Sequence, residues 1–190
     1  MNDWEARYRA GETGWDRGGP SPALDAFRAR GLKPCRILVP GCGRGHEVVA
    51  LARAGFAVTA IDIAPSATGH LGAELDAAGL SAEVVRGDLF AYGPDAPFDA
   101  VYEQTCLCAI RPDQRKDYER RLYDWLKPGG RLYALFMQSG AEGGPPFHCD
   151  LLAMRRLFAD ERWQWPDAEP PVLAPHRGGR FELGYVLVRR

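Results

Sequence analysis

The chain has 190 residues, and its 24 Lys and Arg against 25 Asp and Glu leave a formal charge of −1. That length suits one domain with a sizeable core, and the charge balance excludes a generally basic nucleic-acid binder or a charged tail. A hydrophobic content of 46% with 11% aromatics excludes a disordered chain, while 22 Gly and 15 Pro, above the average usage of about 12%, gather at 11–22, 128–146 and 166–179 and predict long shaped loops there.

In chain order, residues 1–31 read as two short helical segments around a Gly-rich loop from Gly11 to Pro20. Arg36-Ile37-Leu38-Val39 is a short buried strand stopped by Pro40-Gly41-Cys42-Gly43-Arg44-Gly45. Helical spacing of Val48, Val49, Leu51 and Ala52 follows, closed by Gly55. Phe56–Ile61 is a second strand ending at Asp62, and 65–78 an Ala-rich helix with Gly79 as its stop. Ala82–Val85 and Phe98–Tyr102 predict the third and fourth strands. A helix from Arg115 to Leu126 then turns through Lys127-Pro128-Gly129-Gly130 into a strand at Arg131–Phe136. Leu151–Phe158 reads as helical, and Phe181–Val188 alternates like a hairpin strand.

Such β-α alternation predicts a doubly wound α/β domain with a mainly parallel sheet, covered by helices on both faces. In that architecture ligands bind beyond the carboxyl ends of the strands, which directs attention to Val39–Gly45, Asp62, Asp88 and the residues after Tyr102. The N-terminus shows no apolar stretch of signal-peptide length, and the longest apolar run, Leu132 to Met137, is far short of a membrane span. With five cysteines, an odd count, the expectation is a reduced cytoplasmic protein. Cys106-Leu107-Cys108 is read as small apolar filling beside a strand end rather than a soft-metal or redox pair, so no metal site is expected.

The strongest signal is Gly41-x-Gly43-x-Gly45 between the first strand and its helix, followed 19 residues after Gly43 by Asp62 at the end of strand two. Glycines there let a ligand approach the backbone, and a carboxylate at that place accepts both ribose hydroxyl protons. A dinucleotide fingerprint needs G-x-G-x-x-G, but His46 stands where the third glycine belongs. The tighter spacing favours S-adenosylmethionine, which carries no phosphate.

Beyond this, Val39-Pro40-Gly41-Cys42-Gly43-Arg44-Gly45-His46-Glu47 resembles the first motif of the thiopurine methyltransferase family, nearest the branch of plant halide/thiol methyltransferases. Trp4-Glu5-x-x-Tyr8, Gly14-Trp15-Asp16 and Pro20-Ser21-Pro22 resemble its N-terminal segment. Asp99–Tyr102, Cys108-Ala109-Ile110, Pro112 and Arg115 resemble its fourth-strand signature, and Gly144-Pro145-Pro146-Phe147 its active-site loop. The resemblance implies a class I (Rossmann-like) methyltransferase with a seven-stranded sheet, built as a single domain over 1–190 with 1–30 as a helical lid. It implies S-adenosylmethionine as donor and a small soft acceptor: a thiol, halide, thiopurine or metalloid species.

By the same resemblance Trp4, Tyr8 and Trp15 cover the cofactor, and Gly41, Cys42 and Gly43 line its methionine part. Asp62 with Ile63 holds the ribose, Asp88, Leu89 and Phe90 frame the adenine, and Glu103 and Gln104 close the cofactor site. Trp15, Pro146 and Phe147 shape the place of transfer. Gln104 falls where thiopurine-type members carry an arginine and halide/thiol members often an aromatic, which leaves the acceptor open. Aromatic faces suit a sulfonium donor, attracting cations by about 0.5–2 kcal/mol, although plain core packing also explains Trp4 and Trp15. Glu103 reads equally as a site carboxylate or a solvated strand-end charge, and His148 as a hydrogen-bonded loop residue rather than a base.

The expected partner is a small-molecule substrate, with no nucleic acid and no membrane, in a monomer or weak homodimer. Two alternatives stand beside methyl transfer: an NAD-dependent oxidoreductase, against which the glycine spacing speaks, and a non-catalytic S-adenosylmethionine-binding regulatory module.

Overall fold

A strand with both faces covered must be apolar throughout, and Ile37 to Val39 meet that demand at the centre of the sheet. The computed structural model describes residues 3–190, with Arg177 described by its backbone alone. Helices α1 (Trp4–Arg9) and α2 (Pro22–Ala29) precede β1 (Arg36–Pro40), α3 (His46–Arg53), β2 (Ala57–Asp62), α4 (Pro65–Ala78), β3 (Glu83–Arg86) and β4 (Phe98–Glu103). Then come α5 (Arg115–Trp125), β5 (Leu126–Gln138), α6 (Leu151–Leu157), β6 (Trp163–Gln164), β7 (Val172–Pro175) and β8 (Phe181–Arg189).

Local chemistry fixes the helix ends. Asp3 caps α1 by accepting from the Ala6 N–H, and Ser21 caps α2 immediately before Pro22, which needs no hydrogen-bond acceptor for its own nitrogen. Gly79 closes α4 in the left-handed region at φ 63°. The sheet order is β3-β2-β1-β4-β5-β8-β6, parallel from β3 to β5, with β8 antiparallel to β5.

The alternation of side chains divides the core. Ile37, Val39, Ala60, Ala100, Tyr102 and Leu135 pack with Phe27 of α2, Val48 and Leu51 of α3, and Leu71 of α4. Leu38, Ile61, Val101, Leu132 and Phe136 pack on the other face with Tyr118, Leu122 and Trp125 of α5 and Met154 of α6.

Three expectations are corrected. Among the described residues the sheet has eight strands rather than seven, because β6 and β7 both pair with β8, at Val188–Arg189 and Phe181–Gly184 respectively. One edge position is thus filled by two short strands, separated by a stretch holding Pro166, Pro170 and Pro171, which cannot donate to a ladder. The third strand lies one residue later than its apolar run, at Glu83–Arg86. Finally, α5 ends at Trp125: Leu126 already pairs with Phe98, 127–130 bulges out, and pairing resumes with Arg131 opposite Ala100.

Candidate active site

The carboxyl ends of β1, β2 and β4 converge on the turn after β1. Gly43, at φ 55°, lies close under the N-terminal segment: a Cβ there would lie 3.0 Å from the Tyr8 hydroxyl. Gly45 begins α3 at φ 76°, and a Cβ there would collide with the Leu71 side chain.

Asp62 ties this turn to the next one. Its Oδ2 accepts from the Gly43 N–H and its Oδ1 from the Ala64 N–H, both at 2.9 Å. Burial pushes the Asp62 carboxyl up from its ordinary value, against the pull of those backbone donors. Each oxygen keeps a second lone pair for a ligand hydroxyl. Asp88 closes the following turn, with Oδ1 accepting from the Phe90 N–H at 2.9 Å.

The N-terminal segment folds across this edge. Trp15 Nε1–H donates to Tyr8 Oη at 3.3 Å, and Trp15 meets both Trp4 and Tyr8 edge to face at 5.4 and 5.5 Å. The Arg7 guanidinium stacks over Trp15 at 4.8 Å and Trp4 at 5.5 Å. Polar contacts anchor the segment, among them Arg17 Nη2 donating to Pro175 O at 2.5 Å. Glu5 accepts from the Ser66 N–H and hydroxyl at the start of α4, which hold its carboxyl below the ordinary value. Asp16 bonds His46 at 2.9 Å and lies 3.3 Å from Arg44. Burial raises the Asp16 carboxyl, but the Gly18 N–H, His46 and Arg44 outweigh it and hold the carboxyl low. Tyr8 is pushed up by burial and by Asp62, so it stands here as a neutral phenol.

One cleft of about 870 Å³ gathers Trp4, Tyr8, Trp15, Gly41, Asp62, Ile63, Asp88, Leu89, Phe90, Pro146 and Phe147. Cys42, Gly43 and Gln104 line a smaller adjoining cavity of about 60 Å³ instead. The Cys42 N–H is committed to Ile61 O at 3.1 Å and its side chain is buried in the core. Glu103 lines neither space. It is buried beneath the floor, with Oε1 accepting from the Leu107 N–H at 2.6 Å and Oε2 without a partner, and burial pushes its carboxyl up to about 8. Gln104 bridges two buried groups, accepting from Tyr102 Oη and donating to Glu182 Oε2, both at 3.0 Å.

Sequence reasoning missed part of the wall. Arg7, Thr105, Ile110, Arg111, Met137, His176 and Arg180 also line the cleft. His176 and Arg180 carry no motif: antiparallel pairing of β7 with β8 brings them beside the end of β4. His176 Nε2 bonds buried Glu182 at 3.0 Å. His148 lies outside the cleft lining, its Nδ1 accepting from the Gly140 N–H at 3.3 Å. The Phe147 and His148 carbonyls accept instead from Arg115 of α5, at 3.3 and 3.1 Å.

Among the described residues, no group of three or more His, Cys, Asp or Glu is assembled to hold a metal ion, and no helix is long and apolar enough to cross a membrane. Cys106 and Cys108 are buried in the core as small apolar fillers, and burial raises both thiols well above their ordinary value.

The family model for thiopurine S-methyltransferase matches residues 1–171. The chain belongs to that family. It is 32% identical over 187 residues to thiocyanate methyltransferase 1 of Arabidopsis thaliana, covering 95% of this chain and 82% of the relative. It is 31% identical to the thiopurine S-methyltransferase of Azotobacter vinelandii, covering 88% and 85%. The fold matches Burkholderia thailandensis 1,6-didemethyltoxoflavin-N1-methyltransferase, solved with S-adenosylhomocysteine, at a TM-score of 0.78 and 22% identity over 98% of this chain and 85% of that one. This member of the thiopurine S-methyltransferase family is therefore a class I, S-adenosylmethionine-dependent methyltransferase. The motif resemblance is borne out, and the oxidoreductase and non-catalytic alternatives fall away.

Proposed function

We propose that the chain transfers the methyl group of S-adenosylmethionine to a small soft anion, a thiolate, thiocyanate or halide. One observation carries this choice: among the described residues, Asp62 and Asp88 are the only carboxylates lining the large cleft, while Arg7, Arg180 and Arg111, the last paired with Asp113 at 2.5 Å, also line it. A cleft with that balance favours an anionic acceptor.

The cleft's residues fit the cofactor. Asp62 has free lone pairs for the ribose diol, with Ile63 exposed beside it. Asp88 keeps Oδ2 for the exocyclic amine of adenine, between Leu89 and Phe90. Trp4, Tyr8 and Trp15 cover the site, and Gly41 and Gly43 let the methionine part approach the backbone. When bound, the cofactor supplies a methyl group activated by a positive sulfur.

What the protein adds is placement and dryness. Pro146, Phe147 and Met137 form an apolar wall that orients the acceptor, and the aromatic cover excludes water. In well-oriented systems such positioning can supply up to roughly 7–11 kcal/mol of the barrier. No base is required: a free thiol with a pKa near 8.5 is a few per cent thiolate at neutral pH, and halides carry no proton.

The remaining assignments belong to the same reading. The chain acts as one domain over 1–190 with 1–30 as its lid, as a monomer or weak homodimer, without nucleic-acid partners. It works in the reducing cytoplasm, which suits five free thiols. A methyl-transfer screen over iodide, thiocyanate, alkyl thiols, thiopurines, selenite and tellurite tests the proposal by formation of S-adenosylhomocysteine. Turnover confined to neutral or cationic acceptors would overturn it.

A further inference from the structure

The N-terminal segment and the β7–β8 turn lie at opposite ends of the chain, and a guanidinium joins them. Arg17 Nη2 donates to Pro175 O, 158 positions away, at 2.5 Å. On the segment's side, Arg17 stands two residues after Trp15, which lines the main cleft with Trp4 and Tyr8. On the other side, Pro175 immediately precedes His176, which lines the same cleft together with Arg180. Pro175 pairs with Phe181, and the His176 N–H donates to Arg180 O at 2.7 Å. These contacts make 175–181 one turn, so the placement of Pro175 sets the placement of both cleft-lining side chains.

The two ends of the stretch that carries β7 are held differently. Arg30 of α2 donates to Pro170 O at 2.7 Å and lies 3.4 Å from Glu169, and α2 is pinned by Phe27 in the core. That tie does not depend on what the cleft holds. Arg17 instead belongs to the loop between α1 and α2, and across its bond Gly178 and Gly179 turn the chain at φ 71° and 75°. Both partners of the Arg17–Pro175 bond thus sit in connecting backbone rather than in packed elements, where local order is most easily gained or lost.

We infer that Arg17 is a positioning residue for the acceptor: it passes the ordering of the N-terminal segment over the cofactor to the turn that carries His176 and Arg180. The inference rests on the cofactor placement proposed above. There the cofactor occupies the ends of β3, β2 and β1, and the β8 end of the order β3-β2-β1-β4-β5-β8 is left to the acceptor. A cofactor packed beneath Trp4, Tyr8 and Trp15 immobilises the chain leading to Arg17. The long Arg17 side chain then has less freedom left to lose in holding Pro175 O, and the acceptor meets a turn already in place. Cofactor and acceptor accordingly raise each other's affinity by the same factor.

The test joins hydrogen–deuterium exchange, with and without S-adenosylhomocysteine, to steady-state kinetics with thiocyanate. In the native protein the ligand should slow exchange in the turn after β1, and by about fivefold or more at 176–181. Arg17→Met should keep the first effect and lose the second. Its thiocyanate KM should rise about five- to fiftyfold, in the range of coupling between sites, with the S-adenosylmethionine KM within about threefold. Arg17→Lys, which keeps a cationic donor on a long stem, should restore both readouts in part. A merely structural Arg17 would alter exchange at 176–181 equally with and without ligand. The inference is overturned by that result, by native slowing after β1 without slowing at 176–181, by slowing at 176–181 that survives in Arg17→Met, or by both KM values rising together. Slowing in neither region would instead strike the cofactor placement. Absence of thiocyanate turnover would strike the choice of acceptor, and exchange alone then decides the role of Arg17.

Discussion

Asp62 holds the Gly43 N–H at 2.9 Å, and through that bond the end of β2 sets the shape of the turn after β1. The same carboxylate, through its other oxygen, fixes the first residues before α4. Asp62→Ala therefore loses two backbone acceptors as well as the proposed ribose contacts. Affinity for S-adenosylhomocysteine should fall by about 1.5–3 kcal/mol, the range for charge-assisted bonds. Asp62→Asn should be no milder, because its amide end would face a backbone N–H donor. Unchanged affinity in calorimetry would remove Asp62 from the ribose site.

Arg115 should separate acceptor handling from cofactor binding. Its guanidinium holds the Phe147 and His148 carbonyls from beneath the loop. Arg115→Met leaves both carbonyls without that donor and lets the wall formed by Pro146 and Phe147 move. The acceptor KM should rise and kcat fall, with cofactor affinity within about twofold. Equal loss of cofactor binding would show that Arg115 supports the whole fold rather than this wall.

Glu103 gives a pH dependence of stability with a definite sign. Its carboxyl is raised from an ordinary 4.5 to about 8 by burial, with Glu182 adding to the shift against the Leu107 N–H, and the unpartnered Oε2 suits the protonated form. The folded state binds this proton more tightly than the unfolded chain does. Its stabilising contribution is complete below about pH 4.5 and is lost as pH rises through about 8. Glu103→Gln keeps an acceptor for Leu107 and has no proton to lose. Urea unfolding should find the variant close to the native protein at pH 5 and more stable than it at pH 9. A native advantage at pH 9 would mean that Glu103 is charged in the fold.

The baseless mechanism predicts two different rate profiles. With an alkyl thiol the rate should climb with pH up to the thiol's own pKa, and with iodide it should stay nearly flat. His148→Ala should preserve the shape of both, since that ring is engaged with Gly140. A loss of thiol turnover of about a thousandfold, with cofactor binding intact, lies in the range of a general base and would refute the mechanism.

The N-terminal segment should respond to the cofactor. Its anchors, Glu5 on Ser66 and Asp16 on His46 and Arg44, are polar contacts near the surface, and Trp4, Tyr8 and Trp15 line the cleft itself. Filling the cleft should slow tryptic cleavage after Arg7, Arg9 and Arg17 and change tryptophan fluorescence. Identical cleavage with and without S-adenosylhomocysteine would rule out a closing lid.

The parts of this molecule legible in the sequence are those whose chemistry is local. Gly41-x-Gly43-x-Gly45 and Asp62 sit at strand ends that their own neighbours define, and the structure brings Gly41 and Asp62 to one cleft. Trp4, Tyr8 and Trp15 were legible through family resemblance alone, because helical spacing by itself equally supports packing. Depth is what the sequence withheld. Glu103 reads equally as a site carboxylate or a strand-end charge until the loop after β4 folds back and Leu107 donates to it. Cys42 has the right place in the motif, yet its N–H is spent on β2. His176 and Arg180 depend on β7 pairing with β8, and a two-residue strand such as β6 is too short to show alternation.

The split edge of the sheet has a consequence for encounters between copies. An open row of backbone donors and acceptors invites a strand from another molecule, and the danger grows with length and flatness. Here one border is β6 and β7, short and interrupted by prolines, and the other is β3, four residues with exposed Glu83 and Arg86 at its ends. Neither border offers a template on which a second chain can zip. Self-association of this protein, where it occurs, must run through helix faces or loops rather than by continuing the sheet from one molecule into the next.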